Sequence, residues 1–309
     1  MKTALFYNST AKGGLTRQAY TPQLNAVKNV LVRMTKSMCH PADRLAVMNK
    51  YPKSSLIAGN DGLGVVIACH PSLPDHRDLV GKPVIMKRSD IGGVWAEEQV
   101  FARRDLYKLS MVSEMWRVNP ATAYLLLQMA EGRNVLLSAG TSQVAHFIFQ
   151  FIAKQFQIGE IVALVRDKAK TPQIAGSVSF YEYADTWQRV VKGWTNGIGF
   201  DCVGGSIAAD MIEALPSRSK LVSYGAISGE PLHIPTRSLV FEGKRVEGFW
   251  VSEWFRTVDD ARVDSLLMNL ERLFADGTLT IPSGMAEVKY GDINDGSELA
   301  DMRNRIIII

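Results

Sequence analysis

Short apolar runs alternate with helix-length segments in the middle of this 309-residue chain, and this pattern most constrains its fold. The first run, Val135-Leu136-Leu137-Ser138, is followed by a helix-length segment over residues 142–156. The second run is Ile161-Val162-Ala163-Leu164-Val165. Further runs follow at residues 177–180, 199–203, 221–224 and 246–250. Because strands that alternate with helices are typical of βαβ units, these six runs predict an α/β fold with a doubly wound parallel sheet.

The two ends of the chain predict a different domain. Residues 27–34, 63–68 and 83–86 are short β-prone runs separated by Gly, Pro and Asn clusters. A helix begins near Asp259 and ends before Gly277, and the final Arg305-Ile306-Ile307-Ile308-Ile309 predicts a buried strand that returns to the first sheet. We therefore predict a β-rich domain from residues 1–117 and 256–309, and an α/β domain from residues 118–255.

Composition and charge exclude several classes of protein. Hydrophobic residues make up 47% of the chain and charged residues 21%, which is an ordinary globular composition. A net charge of +4, dispersed along the chain, gives no support to a nucleic-acid groove. Three scattered cysteines do not make a disulfide framework, and no apolar run reaches the roughly 18 residues of a membrane helix. These features predict a cytoplasmic protein with no membrane or nucleic-acid partner.

The turn after the first apolar run is a candidate phosphate site. A strand, a tight turn and a helix start present free backbone N–H groups to an anion. Here the turn is Ser138-Ala139-Gly140-Thr141-Ser142, in which the usual glycine fingerprint is reduced to Gly140. A plain βα turn explains the same residues, and the hydroxyls of Thr141 and Ser142 could cap the helix instead of contacting a pyrophosphate.

The end of the second run favours a particular coenzyme. Enzymes that use NAD usually carry an acidic residue there, which accepts a hydrogen bond from the ribose 2′-hydroxyl. This chain has Arg166 directly after Val165. Because a guanidinium can hold a 2′-phosphate through two hydrogen bonds, the residue favours NADPH over NADH. The alternative is a solvated arginine on a loop.

Several motifs together resemble one superfamily. Gly199-Phe200-Asp201-Cys202-Val203-Gly204-Gly205 and Leu221-Val222-Ser223-Tyr224-Gly225-Ala226 resemble the fifth and sixth strand segments of medium-chain dehydrogenases/reductases. Four other segments resemble its NADPH-dependent 2-enoyl thioester reductases: Met48-Asn49-Lys50-Tyr51-Pro52, Asn119-Pro120-Ala121-Thr122-Ala123-Tyr124, Val165-Arg166-Asp167 and Gly248-Phe249-Trp250-Val251-Ser252-Glu253-Trp254. Quinone oxidoreductases of the superfamily share several of these motifs.

The resemblance implies a fold and a coenzyme site. It implies a GroES-like β-rich domain, an inserted Rossmann domain that binds NADPH, and a homodimer formed through the edge of the Rossmann sheet. Phe249 and Trp250 would lie near that edge, although they could equally be ordinary core residues. The coenzyme-binding residues that the resemblance implies are Gly140, Thr141, Ser142, Gln143, Val144, Arg166, Val203, Tyr224, Gly225, Ala226, Phe249, Trp250 and Arg305.

The resemblance also implies the catalytic residues. Reduction of an enoyl thioester develops negative charge on the thioester oxygen, so the site needs a hydrogen-bond donor and a proton source. Tyr51 is the implied donor, since a phenol with a pKa of about 10 stays protonated at neutral pH. Asn119 and Thr122 would orient the nicotinamide and the substrate. Asn60 and Trp95 would line the substrate cleft. A packed loop tyrosine and a core tryptophan are the alternatives for Tyr51 and Trp95.

Zinc enzymes of the superfamily hold their catalytic metal with Cys and His ligands. In this chain the corresponding positions, counted from Asp43, are occupied by His40, Asn60 and Val118. Valine has no donor atom and asparagine is a poor zinc ligand, so we expect no metal. The sequence thus predicts a zinc-independent NADPH-dependent reductase of an activated double bond in a small molecule, with a 2-enoyl thioester as the candidate substrate. An NADPH:quinone oxidoreductase and a non-catalytic nucleotide-sensing protein are the alternatives.

Overall fold

The computed structural model describes residues 2–11, 13–53, 55–88, 93–174, 177–282, 284–293, 295 and 305–309. The chain forms two compact units. Unit 1 consists of Met1–Val118 and Ser252–Ile309, and unit 2 is the continuous segment Asn119–Val251. The predicted limits at residues 117/118 and 255/256 lie beside these boundaries. None of the helices in the described residues is long and apolar enough to cross a membrane.

Unit 2 contains the six-stranded sheet that the alternating runs predict. Its strands are β8 (Asn134–Leu137), β9 (Ile161–Val165), β10 (Val178–Glu182), β11 (Gly197–Asp201), β12 (Lys220–Ser223) and β13 (Arg245–Gly248). They are parallel and pair in the order β10-β9-β8-β11-β12-β13. The order reverses direction at β8, and this places the turn after β8 at the switch point where such sheets bind ligands.

Helices cover the sheet of unit 2. They are α3 (Val118–Ala130), α4 (Gln143–Ile152), α5 (Trp187–Lys192), α6 (Gly205–Ala214) and α7 (Thr236–Val240), and α8 (Val251–Thr257) follows at its end. Trp187 and Met211 pack with Leu136 in one buried cluster. Helix α5 begins at Trp187, after a turn in which the Asp185 carboxylate accepts the Glu182 N–H at 2.9 Å.

Unit 1 is built on strands that pair antiparallel, except for the last two, which are parallel to each other. They are β1 (Thr3–Tyr7), β2 (Leu15–Ala19), β3 (Val30–Cys39), β4 (Gly62–Cys69), β5 (Pro83–Met86), β6 (Glu98–Phe101), β7 (Leu106–Lys108), β14 (Ala286–Lys289) and β15 (Arg305–Ile308). The larger sheet has the order β14-β15-β3-β4-β5-β7, β6 also pairs with β3, and β1 pairs with β2. The terminal isoleucines thus form the strand that the sequence predicts, and Arg305 lies opposite Cys39.

Local side-chain bonds explain where the elements of unit 1 begin. The predicted strand over residues 27–34 starts only at Val30, because the side-chain oxygen Oδ1 of Asn25 accepts the Val27 and Lys28 amides and makes a turn. Helix α9 (Asp260–Ala275) is capped by Asp259, as predicted. Helix α1 (Pro41–Val47) was not predicted; Pro41 begins it, and the Asp43 carboxylate accepts the His40 N–H at 2.8 Å. Helix α2 (His76–Leu79) is a single turn.

Candidate active site

The turn between β8 and α4 is held by its own backbone. The Ser142 hydroxyl caps α4 by accepting the Ala145 N–H at 3.2 Å, which is the capping role that the sequence left open. The Gly140 N–H donates to the Leu164 carbonyl at 2.8 Å and ties the turn to β9. A Cβ on Gly140 would lie 2.9 Å from that of Ala163, so only glycine fits this close approach.

A buried carboxylate that the sequence analysis did not identify organises the strand ends around the turn. Asp201, at the end of β11, is fully buried and accepts a hydrogen bond from the Ser138 hydroxyl at 2.7 Å. It also accepts the amides of Val203 at 3.0 Å and Gly204 at 2.9 Å. Asp201 therefore joins the phosphate turn to the loop after β11. An aspartate at the end of a predicted strand was the only signal for it.

Four predicted coenzyme residues follow β11 and β12, next to this network. They are Val203, Tyr224, Gly225 and Ala226. The Tyr224 N–H donates to the Asp201 carbonyl at 2.8 Å. A Cβ on Gly225 would come within 2.9 Å of the Cys202 Cβ, so glycine is required there too. Burial raises the pKa of the Tyr224 phenol well above its usual value, and the Cys202 thiol beside it acts in the same direction.

The hydrogen-bond donors around the turn between β8 and α4 suit a dinucleotide. The amides of Ser142, Ala145 and His146 donate within the turn and the cap, whereas those of Thr141 and Val144 have no acceptor in the part of the chain that the structure describes. Arg166 is exposed directly after β9, the strand beside β8. Unpaired amides at the start of a helix together with a nearby guanidinium are the donor set that phosphates need, so these residues fit NADPH.

Two predicted orienting residues lie at the start of α3. Asn119 and Thr122 are both buried. The Asn119 side-chain amide donates to the carbonyl oxygen of the Gln143 side chain, the first residue of α4. The Gln143 side chain is therefore bonded to α3, and the beginnings of α3 and α4 are linked.

The remaining predicted coenzyme residues are more dispersed. The Phe249 N–H donates to the Ser223 carbonyl at 2.8 Å and extends the pairing beyond β13, and Trp250 is 39% exposed. Both residues thus lie at the β13 edge of the sheet, as predicted. Arg305 lies in unit 1 at the start of β15, and its positive charge acts on the Cys39 thiol.

A buried polar cluster in unit 1 occupies the positions that correspond to zinc ligands. The His40 ring nitrogen Nε2 lies 3.2 Å from Asp61 Oδ2, and the Val118 N–H donates to the same oxygen at 3.0 Å. The Asn60 amide donates to Asp43 Oδ1 at 2.7 Å. Within the described residues, no group of His, Cys, Asp and Glu is arranged to hold a metal ion.

The pKa values of the two aspartates of this cluster are shifted in opposite directions. Burial raises the pKa of Asp43 above its usual value, against the hydrogen bonds from His40 and Asn60. Burial alone would also raise the pKa of Asp61, but the His40 hydrogen bond and the Arg117 charge outweigh it and lower that pKa. The fold therefore keeps Asp61 as the anion of the cluster.

Tyr51 follows α1 in a half-buried position, and a second tyrosine lies near it. Tyr7 ends β1, and the Lys53 ammonium lies 4.6 Å from the centre of its ring. Burial raises the pKa of Tyr7, with smaller contributions from Asp43 and Tyr51, while the Gly59 amide acts in the opposite direction. The sequence analysis missed Tyr7, because its strand and residues 56–58 meet only through tertiary pairing.

Trp95 is a core residue of unit 1. Its side chain is fully buried, and the indole N–H donates to the Ser37 hydroxyl at 2.9 Å. Gly59 has a φ of +90°, and a Cβ there would lie 2.3 Å from the indole ring. The structure thus describes Trp95 as the packed tryptophan that was the alternative to a cleft residue.

A β-rich unit made from both ends of the chain and a continuous doubly wound unit from its middle are the two parts that the resemblance to medium-chain dehydrogenases/reductases implies. In sequence, the chain is 26% identical to the mitochondrial enoyl-[acyl-carrier-protein] reductase of Mus musculus, over 91% of this chain and 80% of the relative. It is 28% identical to the same enzyme of Dictyostelium discoideum, over 77% and 74%. No family model matches the chain.

Solved structures have the same fold. The chain superposes on the Etr1p/NADP/crotonyl-CoA complex with a TM-score of 0.82 at 21% identity, covering 100% of this chain and 99% of that one. The mitochondrial 2-enoyl thioester reductase Etr1p/Etr2p heterodimer from Candida tropicalis gives a TM-score of 0.82 at 20% identity, with coverage of 100% and 99%. A quinone oxidoreductase from Pseudomonas syringae gives 0.79 at 20% identity, with full coverage of both chains.

These comparisons bear on three predictions. The resemblance to zinc-independent medium-chain reductases is confirmed by the named relatives, and the predicted α/β fold class is confirmed by the shared fold. The prediction of a cytoplasmic protein is wrong, because the named relatives are mitochondrial enzymes. Three scattered cysteines fit a reducing compartment, but they do not distinguish one such compartment from another.

Proposed function

We propose that this chain is an NADPH-dependent reductase of 2-enoyl thioesters. The observation that carries the proposal is the similarity to enoyl-[acyl-carrier-protein] reductases over 91% of the chain, together with a unit 2 whose turn and Arg166 suit NADPH. The prediction of an NADPH-dependent oxidoreductase agrees with the names of these relatives, and one solved neighbour is a complex with NADP and crotonyl-CoA.

The coenzyme half of the reaction rests on unit 2. The amides of Thr141 and Val144 would hold the pyrophosphate at the start of α4, and Arg166 would hold the 2′-phosphate. Asp201 keeps the loops after β8 and β11 together, so that these donors have fixed positions before the coenzyme binds. Bound NADPH supplies the hydride that adds to the β-carbon of the substrate.

The proton half of the reaction rests on Tyr51. Hydride addition leaves an enolate whose negative charge lies on the thioester oxygen, and a proton must reach the α-carbon to complete the reduction. The Tyr51 hydroxyl would donate a hydrogen bond to that oxygen and stabilise the charge as it develops. Asn119 and Thr122 would orient the reacting groups. Asn119 would do so together with Gln143, to which it is bonded.

Oxidation of NADPH by the purified chain tests the proposal. Crotonyl-CoA and a planar quinone are offered in parallel, and the loss of nicotinamide absorbance is followed with each acceptor. We expect turnover with crotonyl-CoA. If the quinone alone is reduced, the chain is an NADPH:quinone oxidoreductase, a candidate that the Pseudomonas syringae neighbour supports. If neither acceptor is reduced and calorimetry detects no NADPH binding, the chain is a non-catalytic protein that kept the fold.

We further propose that the chain forms a homodimer through the β13 edge of the unit 2 sheet. Near this edge strand the surface is apolar: Val240 is 64% exposed and Phe241 is 77% exposed. An edge strand beside exposed apolar side chains is a surface that pairs readily with a second copy. Light scattering should give twice the mass of one chain, and Phe241→Asp should give the monomer; a monomeric wild type contradicts the proposal.

A further inference from the structure

One tyrosine links the ends of three neighbouring strands in unit 2. Tyr183 follows β10, and its N–H donates to the carbonyl of Val165, the last residue of β9, at 3.2 Å. Its hydroxyl accepts the N–H of Ala139, in the turn after β8, at 2.9 Å. The Trp187 indole donates to the Tyr183 carbonyl at 3.3 Å and fixes the backbone from the other side. Tyr183 therefore spans β10, β9 and the phosphate turn.

The residue that Tyr183 contacts has an unusual backbone. Ala139 has a φ of +51°, in the left-handed region that glycine adopts freely and alanine does not. Neighbouring peptide groups also form hydrogen bonds: the Gly140 N–H donates to the Leu164 carbonyl, and the Ser142 N–H donates to the Ala139 carbonyl, both at 2.8 Å. The Tyr183 hydroxyl completes this set, because it takes the Ala139 N–H itself.

The Tyr183 hydroxyl remains a phenol at neutral pH. Burial raises its pKa, and the nearby Cys202 and Asp201 add to this effect, while the Ala139 N–H and Arg166 oppose it. A protonated hydroxyl that accepts the Ala139 N–H is neutral, so it adds no negative charge beside a site for phosphates. A carboxylate at this position would accept the same N–H but would repel the coenzyme.

We propose that Tyr183 is a positioning residue of the coenzyme site, whose hydroxyl holds Ala139 in the left-handed conformation from which the phosphate turn starts. The inference rests on the proposed function, because it assigns the turn to a dinucleotide. The turn presents its amides to the pyrophosphate, which NADPH and NADH share. The hydroxyl therefore contributes to the affinity for both coenzymes, whereas Arg166 discriminates between them.

A double-mutant cycle in coenzyme binding tests the inference. Calorimetry measures the Kd of NADPH and NADH for the wild type, Tyr183→Phe, Ala139→Gly and the double variant. We expect Tyr183→Phe to weaken both coenzymes by about tenfold, since one hydrogen bond that holds the turn is lost. In the Ala139→Gly background the same substitution should weaken coenzyme binding by less than about threefold, because glycine adopts the left-handed conformation without the hydrogen bond. Tyr20→Phe, which removes the hydroxyl bonded to Gln99 in unit 1, is the matched control and should leave both Kd values unchanged.

The outcomes separate this inference from the proposed function. An unchanged Kd in Tyr183→Phe, or an equal loss of affinity in both backgrounds, overturns the proposed positioning role of the Tyr183 hydroxyl. A loss confined to NADPH also overturns it, in favour of a direct contact with the 2′-phosphate. If the wild type binds neither coenzyme, the proposed function fails, and the same double-mutant cycle is then measured by thermal unfolding. Coupling between the effects of the two substitutions on stability supports the contact of the Tyr183 hydroxyl with Ala139 as the one that holds the turn, and additive effects overturn it.

Discussion

The Asn60 side-chain amide donates to the Asp43 carboxylate across 2.7 Å in the interior of unit 1. Both residues belong to the region that corresponds to the zinc site of zinc-dependent medium-chain dehydrogenases/reductases. Here the amide and the carboxylate bond to each other, while His40 and the Val118 N–H bond to Asp61. These polar groups therefore serve as hydrogen-bond partners for one another, and their hydrogen bonds stabilise the fold.

Asp61→Asn should destabilise unit 1 in a pH-dependent way. At pH 7 we expect a loss of about 3 kcal/mol, because the substitution removes the charge that His40, Val118 and Arg117 surround. The folded state lowers the pKa of Asp61, so its stabilisation is present above the unfolded value of about 4 and is lost as the pH falls through the lower folded value. Urea unfolding at pH 7, 5 and 3 measures the free energy of unfolding of both proteins. The difference between variant and wild type should become smaller at pH 3.

The control for this experiment is Asp75→Asn. Asp75 and its partner Arg103 are both half-exposed and lie 2.9 Å apart, so the same chemical change should cost less than about 1 kcal/mol. If Asp61→Asn lowers the free energy of unfolding by the same amount at all three pH values, the assignment of Asp61 as the anion of the cluster is contradicted.

Arg166→Ala should change the choice of coenzyme. We expect the Kd of NADPH to rise by about 30-fold and that of NADH by less than about twofold, because only NADPH offers a 2′-phosphate to the guanidinium. Calorimetry with each coenzyme measures both values. Arg245→Ala removes an exposed arginine from β13 in the same unit and is the matched control. Equal losses for the two coenzymes would refute the 2′-phosphate contact.

Tyr51→Phe should impair turnover and leave coenzyme binding intact. Removal of a hydrogen-bond and proton donor ordinarily costs about 100-fold in kcat, and the ring that packs in the loop is retained. Steady-state rates with crotonyl-CoA and the Kd of NADPH separate the two effects. Tyr107→Phe, which removes a hydroxyl bonded to Glu271, serves for comparison and should turn over normally. Unchanged turnover in Tyr51→Phe would exclude Tyr51 as the donor.

The three thiols should differ in reactivity. Burial raises the pKa of Cys202 to about 11 and that of Cys39 well above its usual value, and both side chains are buried. Cys69 is half-exposed, and its pKa is also raised by partial burial. In native protein at pH 8, iodoacetamide followed by mass spectrometry should label Cys69 first, since access to a thiolate controls the rate. Denatured protein should be labelled at all three; labelling of Cys202 as fast as Cys69 in native protein would show that its surroundings open.

Local signals predicted much of the fold. Residues 83–86 and 161–165 form strands β5 and β9 with the predicted limits, because β-branched runs bounded by breakers leave few alternatives. Helix α9 has its predicted cap at Asp259. Helix α1 was missed, since two turns are too short to show a helical period and its start depends on the bond between Asp43 and the His40 amide.

The site was predicted less completely for a different reason. Gly140, Ser142 and Arg166 were selected as candidates because turn chemistry and strand ends are encoded by neighbouring residues. Asp201, Tyr183 and Tyr7 were not, since each acts on a partner from another strand: Asp201 on Ser138, Tyr183 on Ala139, and Tyr7 near Tyr51. Sequence spacing does not reveal such contacts, because the sheet order that creates them is a property of the folded chain.

The position of β15 between β14 and β3 has a consequence for biosynthesis. Unit 2 is one continuous stretch, so all of its strands have left the ribosome well before residues 305–308 are made. Until then, residues 36–39 of β3 lack their neighbour and present an open hydrogen-bonding edge on the nascent chain. An open edge is a template for pairing with other chains. During translation, unit 1 therefore completes its sheet after unit 2 has been synthesised, although most of its strands precede unit 2 in the chain.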